Sequence, residues 1–138
     1  MTLTREMILT MEAGPEIDFA LHDIMREVIE DGFGSSWPRF TIEHGYVREW
    51  QIVRPGKVQS ESWNPSHEHN CTFGVVEWLN RHGWFARLWQ SKGKHWHCDL
   101  HKPGNGPING SPSVGAWAES LPLAICRAAL LTTLEAQP

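Results

Sequence analysis

The sequence has few cysteines, and their arrangement excludes two common roles of this residue. Cys71, Cys98 and Cys126 form no CxxC pair, and their number is odd. We therefore expect neither a disulfide framework nor a zinc site built from cysteine pairs. The N-terminus also lacks the basic segment and long apolar run of a secretory signal. Reduced thiols and a cytoplasmic location follow as expectations.

The sequence also lacks a strong net charge and a long apolar segment that would suit a membrane span. The one long apolar segment is better explained as a core helix than as a membrane span. The net charge of −4 differs from the strongly positive charge of general nucleic-acid binders. Gly104–Asn105–Gly106 does not belong to a strand–loop–helix signature, so it predicts no phosphate-binding loop. Membrane insertion, general nucleic-acid binding and dinucleotide binding are therefore not expected.

Tyrosine occurs once, whereas tryptophan occurs eight times. Any one of these indoles is most simply explained as filling between a helix and a sheet. A core formed by 138 residues is nevertheless small for eight of them, and exposed tryptophan is typical of contact surfaces. We therefore expect several of the tryptophans to reach solvent.

Three helices are predicted, and the last of them should be buried. Residues 120–136 are apolar almost all round, with Ser120 as N-cap and Pro122 in the first turn. A helix of this kind has to be enclosed by the rest of the chain. Apolar residues at helical spacing predict two further helices over residues 15–31 and 70–82, the first ending at Gly32.

The strands are predicted to form a small, mainly antiparallel sheet. Residues 84–89 and 95–101 should pair as a hairpin around the turn at 91–94, and shorter strands are expected over 48–53 and 113–119. The fold class is α+β: one layered domain over residues 12–137, preceded by a flexible extension over residues 1–11. Residues 33–63 receive no assignment apart from the short strand. The segment 103–112, rich in glycine and proline, is predicted to be a flexible loop.

Four segments resemble one known family. They are the helix opening Glu12–Asp18, the turn Asn64–Ser66 with the helical Val75–Leu79 after it, the strand residues Trp96–Cys98, and the run Glu119–Leu131. Together they are similar to the small phage and prophage proteins grouped as the phage ABA sandwich domain. The resemblance implies an α-β-α sandwich encoded by a phage or prophage. It carries over no site residues, because the family has no agreed activity, and the chain departs from the pattern at residues 67–71.

Histidine and cysteine clusters suggest a metal site only weakly. The weak candidate ligands of a zinc ion are His67, His69 and Cys71 at a helix start, with His95 and His97 on one strand face. No HExxH or paired-cysteine motif accompanies them, so surface histidines are the simpler explanation and no metal site is assigned. The expected cofactor set is therefore empty, with zinc as the alternative.

Catalysis finds little support in the sequence. Cys98 and His97 are adjacent in a strand, so their side chains point to opposite faces. Cys98 should lie on the inner side with Trp96 and Leu100, where a thiol is usually inert. We assign no catalytic residues, and the sequence favours a protein without enzymatic activity.

Binding is the better-supported function, because cations and aromatic rings alternate around the hairpin. The expected contact residues are Trp84, Arg87, Trp89, Lys92, Lys94, His95 and His97. Exposed lysine and arginine that merely protect a sheet edge would give the same pattern. A second charged surface is expected on the first helix, whose acidic face comprises Glu16, Asp23, Glu27, Glu30 and Asp31; such a face is most often only solvated.

The resemblance implies a small phage or prophage accessory protein in the host cytoplasm, and the aromatic and basic residues of the hairpin predict that it acts by binding a protein such as a host or defence component. One alternative is a binder of a small anionic ligand such as a nucleotide, and a zinc-containing protein is another. A homodimer formed through the surplus tryptophans is an equally open interpretation, since twofold dimers are the commonest assemblies.

Overall fold

The computed structural model describes residues 2–103 and 113–135, and it confirms the α+β prediction. Within those residues, four helices accompany eight strands, which form three antiparallel sheets. The helices are α1 (Arg5–Thr10), α2 (Pro15–Met25), α3 (His69–Arg81) and α4 (Leu121–Glu135). The strands are β1 (Val28–Glu30), β2 (Ser36–Pro38), β3 (Phe40–Glu43), β4 (Tyr46–Arg54), β5 (Lys57–Ser62), β6 (Phe85–Gln90), β7 (Trp96–His101) and β8 (Ser113–Ala118). No helix among the described residues has the length and apolar character needed to cross a bilayer.

The C-terminal helix α4 is buried on all sides, as its sequence predicts. Every residue from 122 to 132 is buried, and Ile125 and Leu130 are each only 1% exposed. The hydroxyl of Ser120 caps the helix by accepting a hydrogen bond from the backbone N–H of Leu123 at 3.3 Å. All three other helices and the sheet β6–β8 contact α4, so this helix is the centre of the fold.

The predicted hairpin is confirmed and gains a third strand. Strand β7 pairs with β6 on one side and with β8 on the other, in the order β6-β7-β8. Alternation places one face of this sheet against α4; its buried members are Cys98, Leu100, Val114, Ala116 and Ala118. The loop predicted over residues 103–112 lies outside the described residues from 104 onward.

The helix predicted over residues 15–31 is too long, because it ends at Met25. Residues 28–30 form the strand β1, which pairs with β2, and the β-branched Val28 and Ile29 suit a strand better than a helix. Gly32 does not cap a helix but lies in the connecting turn with φ +89°. In that turn the buried carboxylate of Asp31 accepts a hydrogen bond from the N–H of Phe33 at 2.8 Å.

Because α2 ends at Met25, the acidic face predicted for this helix is also wrong. Only Glu16 and Asp23 remain on α2, while Glu30 is on β1 and Asp31 is buried in the turn. Glu27 pairs with Arg39 and lies 3.7 Å from Arg81. The acidic residues of the first 31 positions therefore do not form one helical surface.

Much of the segment that sequence patterns leave unassigned is a second sheet. Strands β3, β4 and β5 pair in that order, and β4 runs from 46 to 54 rather than from 48 to 53. A tight turn at His44 and Gly45, both with positive φ, joins β3 to β4, which is the backbone that hairpin turns of this type require. The sheet reaches the core through Phe40, Val47 and, just after β5, Trp63.

The first eleven residues, expected to be a flexible extension, contain the helix α1. Its N-cap Thr4 accepts a hydrogen bond from the N–H of Met7 at 3.2 Å, and Ile8 is completely buried. This helix contacts α4. Its mobility in solution stays a prediction.

Arg127 joins three parts of the chain from within the buried helix. Its Nε donates to the carbonyl oxygen of Met11 at 2.9 Å, and one terminal nitrogen donates to the carbonyl oxygen of Trp117 at 2.7 Å. The residue is 8% exposed. It thereby holds the connection between α1 and α2 and the end of β8 against α4.

We expect Arg127→Ala to lower the free energy of unfolding by about 3 kcal/mol, because it leaves two partly buried carbonyl groups without their charged donor and removes a buried side chain. Chemical denaturation followed by circular dichroism measures this loss. Arg26→Ala is the matched control: Arg26 is exposed and its pair with Asp23 spans 3.2 Å, so its loss should cost less than about 1 kcal/mol. Equal stability of the two variants would contradict the role given to Arg127.

Candidate functional site

The sheet β6–β8 turns its second face away from α4, and this outer face carries three of the seven predicted contact residues, Arg87, Trp89 and His97. Three rows of residues cross it in register: Phe85, His101 and Ser113; Arg87, Asp99 and Gly115; Trp89, His97 and Trp117. Three large apolar side chains of this face are exposed: Phe85 by 55%, Trp89 by 38% and Trp117 by 46%. We refer to these nine residues as the outer face.

The third row is a continuous aromatic contact across the three strands. The ring of His97 lies between the two indoles, with its centroid 4.2 Å from that of Trp89 and 4.4 Å from that of Trp117. The two indoles meet edge to face at 6.3 Å. The guanidinium carbon of Arg87 lies 5.5 Å from the ring centre of Trp89, so a cation extends the row on that side.

Gly115 leaves the space that the His97 ring occupies. A Cβ atom on Gly115 would lie 2.9 Å from Cε1 and 3.1 Å from Nε2 of His97, and 3.4 Å from a carboxylate oxygen of Asp99. Both distances to the ring are shorter than ordinary carbon contacts. The missing side chain of Gly115 is therefore a condition for the row as it stands.

The environment of His97 favours its neutral form. Burial lowers the pKa of the imidazole below its ordinary value, and the carboxylate of Asp99 opposes this shift only in part. Nδ1 of His97 is buried and finds no hydrogen-bond partner among the described residues. A protonated ring would place a second N–H donor there without an acceptor.

The remaining predicted contact residues divide between the end of the hairpin and the core. Lys92, Lys94 and His95 are exposed in and beside the turn that follows β6, next in sequence to the row of Trp89 and His97. Trp84 was expected at the contact surface, but it is buried at 6% exposure, and Lys102 lies 5.6 Å from its ring centre. Strand alternation explains this, because residue 84 has the parity of the inner face.

The candidate metal ligands are not brought together. Within residues 2–103 and 113–135, no group of three or more His, Cys, Asp or Glu side chains is placed to hold a metal ion. His67 and His69 are exposed at the start of α3, while Cys71 is half-buried with its Sγ 3.8 Å from an Asn64 side-chain oxygen. The zinc alternative therefore lacks a ligand set in this part of the chain.

Cys98 lies where the sequence places it, on the inner face and away from His97. It is completely buried, and burial raises the pKa of its thiol to about 12. A thiol of this kind carries almost no thiolate near neutral pH. The pair Cys98 and His97 therefore does not have the geometry of a nucleophile and its base.

A separate cleft of 320 Å³ opens between the start of α2, the start of β4 and the turn after β5. Its lining includes Asp18, Tyr46, Trp63 and His67. Desolvation raises the pKa of the Asp18 carboxyl, although hydrogen bonds from Ser66 and the nearby His67 act in the opposite direction.

Sequence reasoning missed three of the residues that shape these two sites. Trp117 and Gly115 carry a usable signal, because alternation in residues 113–118 places both on the side opposite Val114 and Ala116. Their pairing with His97 depends on a strand register that the sequence does not reveal. Asp18 meets Ser66 across 48 positions, and no local pattern indicates that contact.

Comparison with known families gives one finding. The model of the phage ABA sandwich domain matches residues 22–130, which is more than half of the chain. The chain therefore belongs to this family, as its resemblance predicted. A search of the curated proteins found no match.

The space left by Gly115 generates a first prediction. Gly115→Ala should lower the free energy of unfolding by about 1–2 kcal/mol, because the new methyl group displaces the His97 ring. In the double variant Gly115→Ala/His97→Ala the ring is absent, so most of this cost should disappear. A double-mutant cycle measured by denaturation gives the coupling between the two positions. If the losses of stability from the two single substitutions simply add, Gly115 is not needed to accommodate the His97 ring.

The neutral state of His97 generates a second prediction. In the unfolded chain His97 takes up a proton near the ordinary histidine pKa, whereas in the folded chain it does so only at lower pH. The free energy of unfolding should therefore decrease as pH falls from about 7.5 to about 5.5. The melting temperature of the wild type should drop more over this range than that of His97→Gln. Titrations of other groups affect both proteins alike. If the melting temperatures of the wild type and His97→Gln fall in parallel with pH, the lowered pKa of His97 is contradicted.

Proposed function

We propose that this member of the phage ABA sandwich domain family is a binding module that acts without turnover, and that its outer face contacts an acidic surface of a protein in the host cell. The observation that carries the proposal is the row of Trp89, His97 and Trp117, with both indoles exposed, on the sheet face opposite α4. A host or defence component is the partner that fits a phage-encoded binder.

The composition of the outer face supports a protein contact. Tryptophan and arginine are the residue types that most often dominate binding energy at protein interfaces. Here His97 packs against both tryptophans, and Arg87 lies over the ring of Trp89. Because the rings already pack on one another, little side-chain freedom remains to be lost when a partner binds.

The charges around the face favour an acidic partner. Arg87 lies on it, Lys92 and Lys94 lie in the adjoining turn, and Asp99 is the one carboxylate in its three rows. Opposite charge on the partner would speed the encounter and fix its orientation. A basic partner would instead meet like charge.

A protein partner agrees with the shape of the site better than a nucleotide does. Small-molecule sites are usually concave, whereas the row lies on the open face of a sheet. Five clefts of 320–570 Å³ in the described chain are lined by residues outside the outer face. The cation beside an indole keeps the nucleotide alternative testable, and it is one arm of the experiment below.

The test is capture from a lysate of phage-infected host cells on immobilised wild type and on variants of the outer face. Trp117→Ala and Arg87→Glu should each reduce recovery of the specific partner about tenfold or more, since each removes a central contact. Capture should also weaken as NaCl rises from about 50 to about 500 mM. Recovered proteins are identified and quantified by mass spectrometry.

Matched variants away from the face separate a specific contact from general stickiness. Phe73 is a 55% exposed aromatic residue on α3, and Arg54 is an exposed cation at the end of β4, so Phe73→Ala and Arg54→Glu should capture the partner as the wild type does. Equal capture by all variants, or none by the wild type, would refute the proposal. A thermal shift with ATP that Arg87→Glu abolishes would select the nucleotide alternative. Self-association lost in Trp117→Ala would select the homodimer.

A further inference from the structure

The cleft around Asp18 is formed by three segments that are distant in the sequence. Phe19 comes from α2, Tyr46 from the start of β4, and Trp63 from the end of the second sheet. Trp63 is buried, whereas Tyr46 is 63% exposed at the rim. The cleft thus has aromatic walls, and its volume of 320 Å³ is at the small end of the range for ligand sites.

Asp18 is the acidic group of this cleft and is almost entirely removed from bulk water. It is 4% exposed, and its Oδ1 accepts a hydrogen bond from the backbone N–H of Ser66 at 3.1 Å. The Ser66 hydroxyl in turn accepts the N–H of Gly14 at 3.0 Å. Ser66 itself is buried, so the carboxylate is held in a fixed position.

The carboxylate has no ion pair among the residues that the structure describes. Two other sheltered carboxylates do have one: Glu27 and Glu49 both contact Arg39, the second at 3.3 Å. Asp18 is more buried than either, and burial raises its pKa. A buried carboxylate that lacks a cation costs stability, and that cost would be offset when a cation occupies the cleft.

We propose that the Asp18 cleft binds a guanidinium group, with the Asp18 carboxylate as its partner and the aromatic walls against its flat faces. A guanidinium is planar, donates two parallel hydrogen bonds to a carboxylate, and stacks on aromatic rings. It is also more weakly hydrated than an ammonium group, so it enters an aromatic cleft at a smaller desolvation cost.

The guanidinium has two sources that share this chemistry: an arginine side chain of a protein, and a free small guanidine. This site is separate from the outer face and does not depend on the function proposed above. Trp117→Ala, which disrupts the outer face, should therefore leave the Asp18 cleft unchanged.

The test measures binding of three probes to the full chain by NMR titration: N-acetyl-argininamide, N-acetyl-citrullinamide and methylguanidinium. We expect the arginine probe to bind with chemical-shift changes at Phe19, Trp63 and Ser66. The citrulline probe has nearly the same shape without the charge, and should bind at least about tenfold more weakly. Equal affinity for methylguanidinium and the arginine probe would identify a free guanidine as sufficient, whereas tighter binding of the arginine probe would identify the peptide source.

The variant Asp18→Asn removes the charge but keeps an oxygen that accepts the Ser66 N–H, so the local fold should persist. It should weaken binding of the arginine probe about tenfold or more. Tyr46→Ala, at the exposed rim, should weaken it about threefold, and Phe73→Ala is the control that should leave it unchanged. The proposal is overturned if the wild type shows no saturable shifts, if the citrulline probe binds equally well, or if Asp18→Asn binds the arginine probe as tightly as the wild type does.

Discussion

The need to cover α4 on every side is the constraint on which the rest of the structure depends. A helix without a polar face is stable in water only when other elements surround it, and here α1, α2, α3 and the inner face of β6–β8 do so. Arg127 is a buried charged residue of this helix, and its two hydrogen bonds, to the carbonyl oxygens of Met11 and Trp117, fasten neighbouring segments to it. Because the sheet β6–β8 uses one face for this purpose, its second face is left to carry aromatic rings.

How well each helix or strand can be predicted depends on how regular its pattern of apolar residues is. The C-terminal helix and the hairpin have long, regular patterns, and both were predicted close to their observed bounds. The helix over 15–31 was overextended because Val28 and Ile29 continue its apolar spacing, and the pairing of β1 with Ser36–Pro38 that decides the matter is not local. The second sheet could not be predicted from local patterns either, because its strand Lys57–Ser62 is mostly polar.

The sites show the same division between local pattern and tertiary pairing. Alternation along β6 and β7 was enough to place Arg87, Trp89 and His97 on one face, and the same rule applied to Trp84 would have assigned it to the core. Strand register, in contrast, brings Trp117 and Gly115 beside His97. The Asp18 cleft is harder still to predict from the sequence, because it exists only where the start of α2 meets the turn after β5.

The two candidate sites have opposite charge requirements, and the chain keeps them apart on different elements. The outer face combines aromatic rings with Arg87 and suits an acidic partner, whereas the Asp18 cleft combines aromatic rings with a carboxylate and suits a cation. Neither site draws on the central residues of α4, so exposed members such as Trp117 and Tyr46 contribute little to the core. Substitutions at these exposed positions can therefore alter the proposed contacts while the enclosed helix continues to maintain the fold.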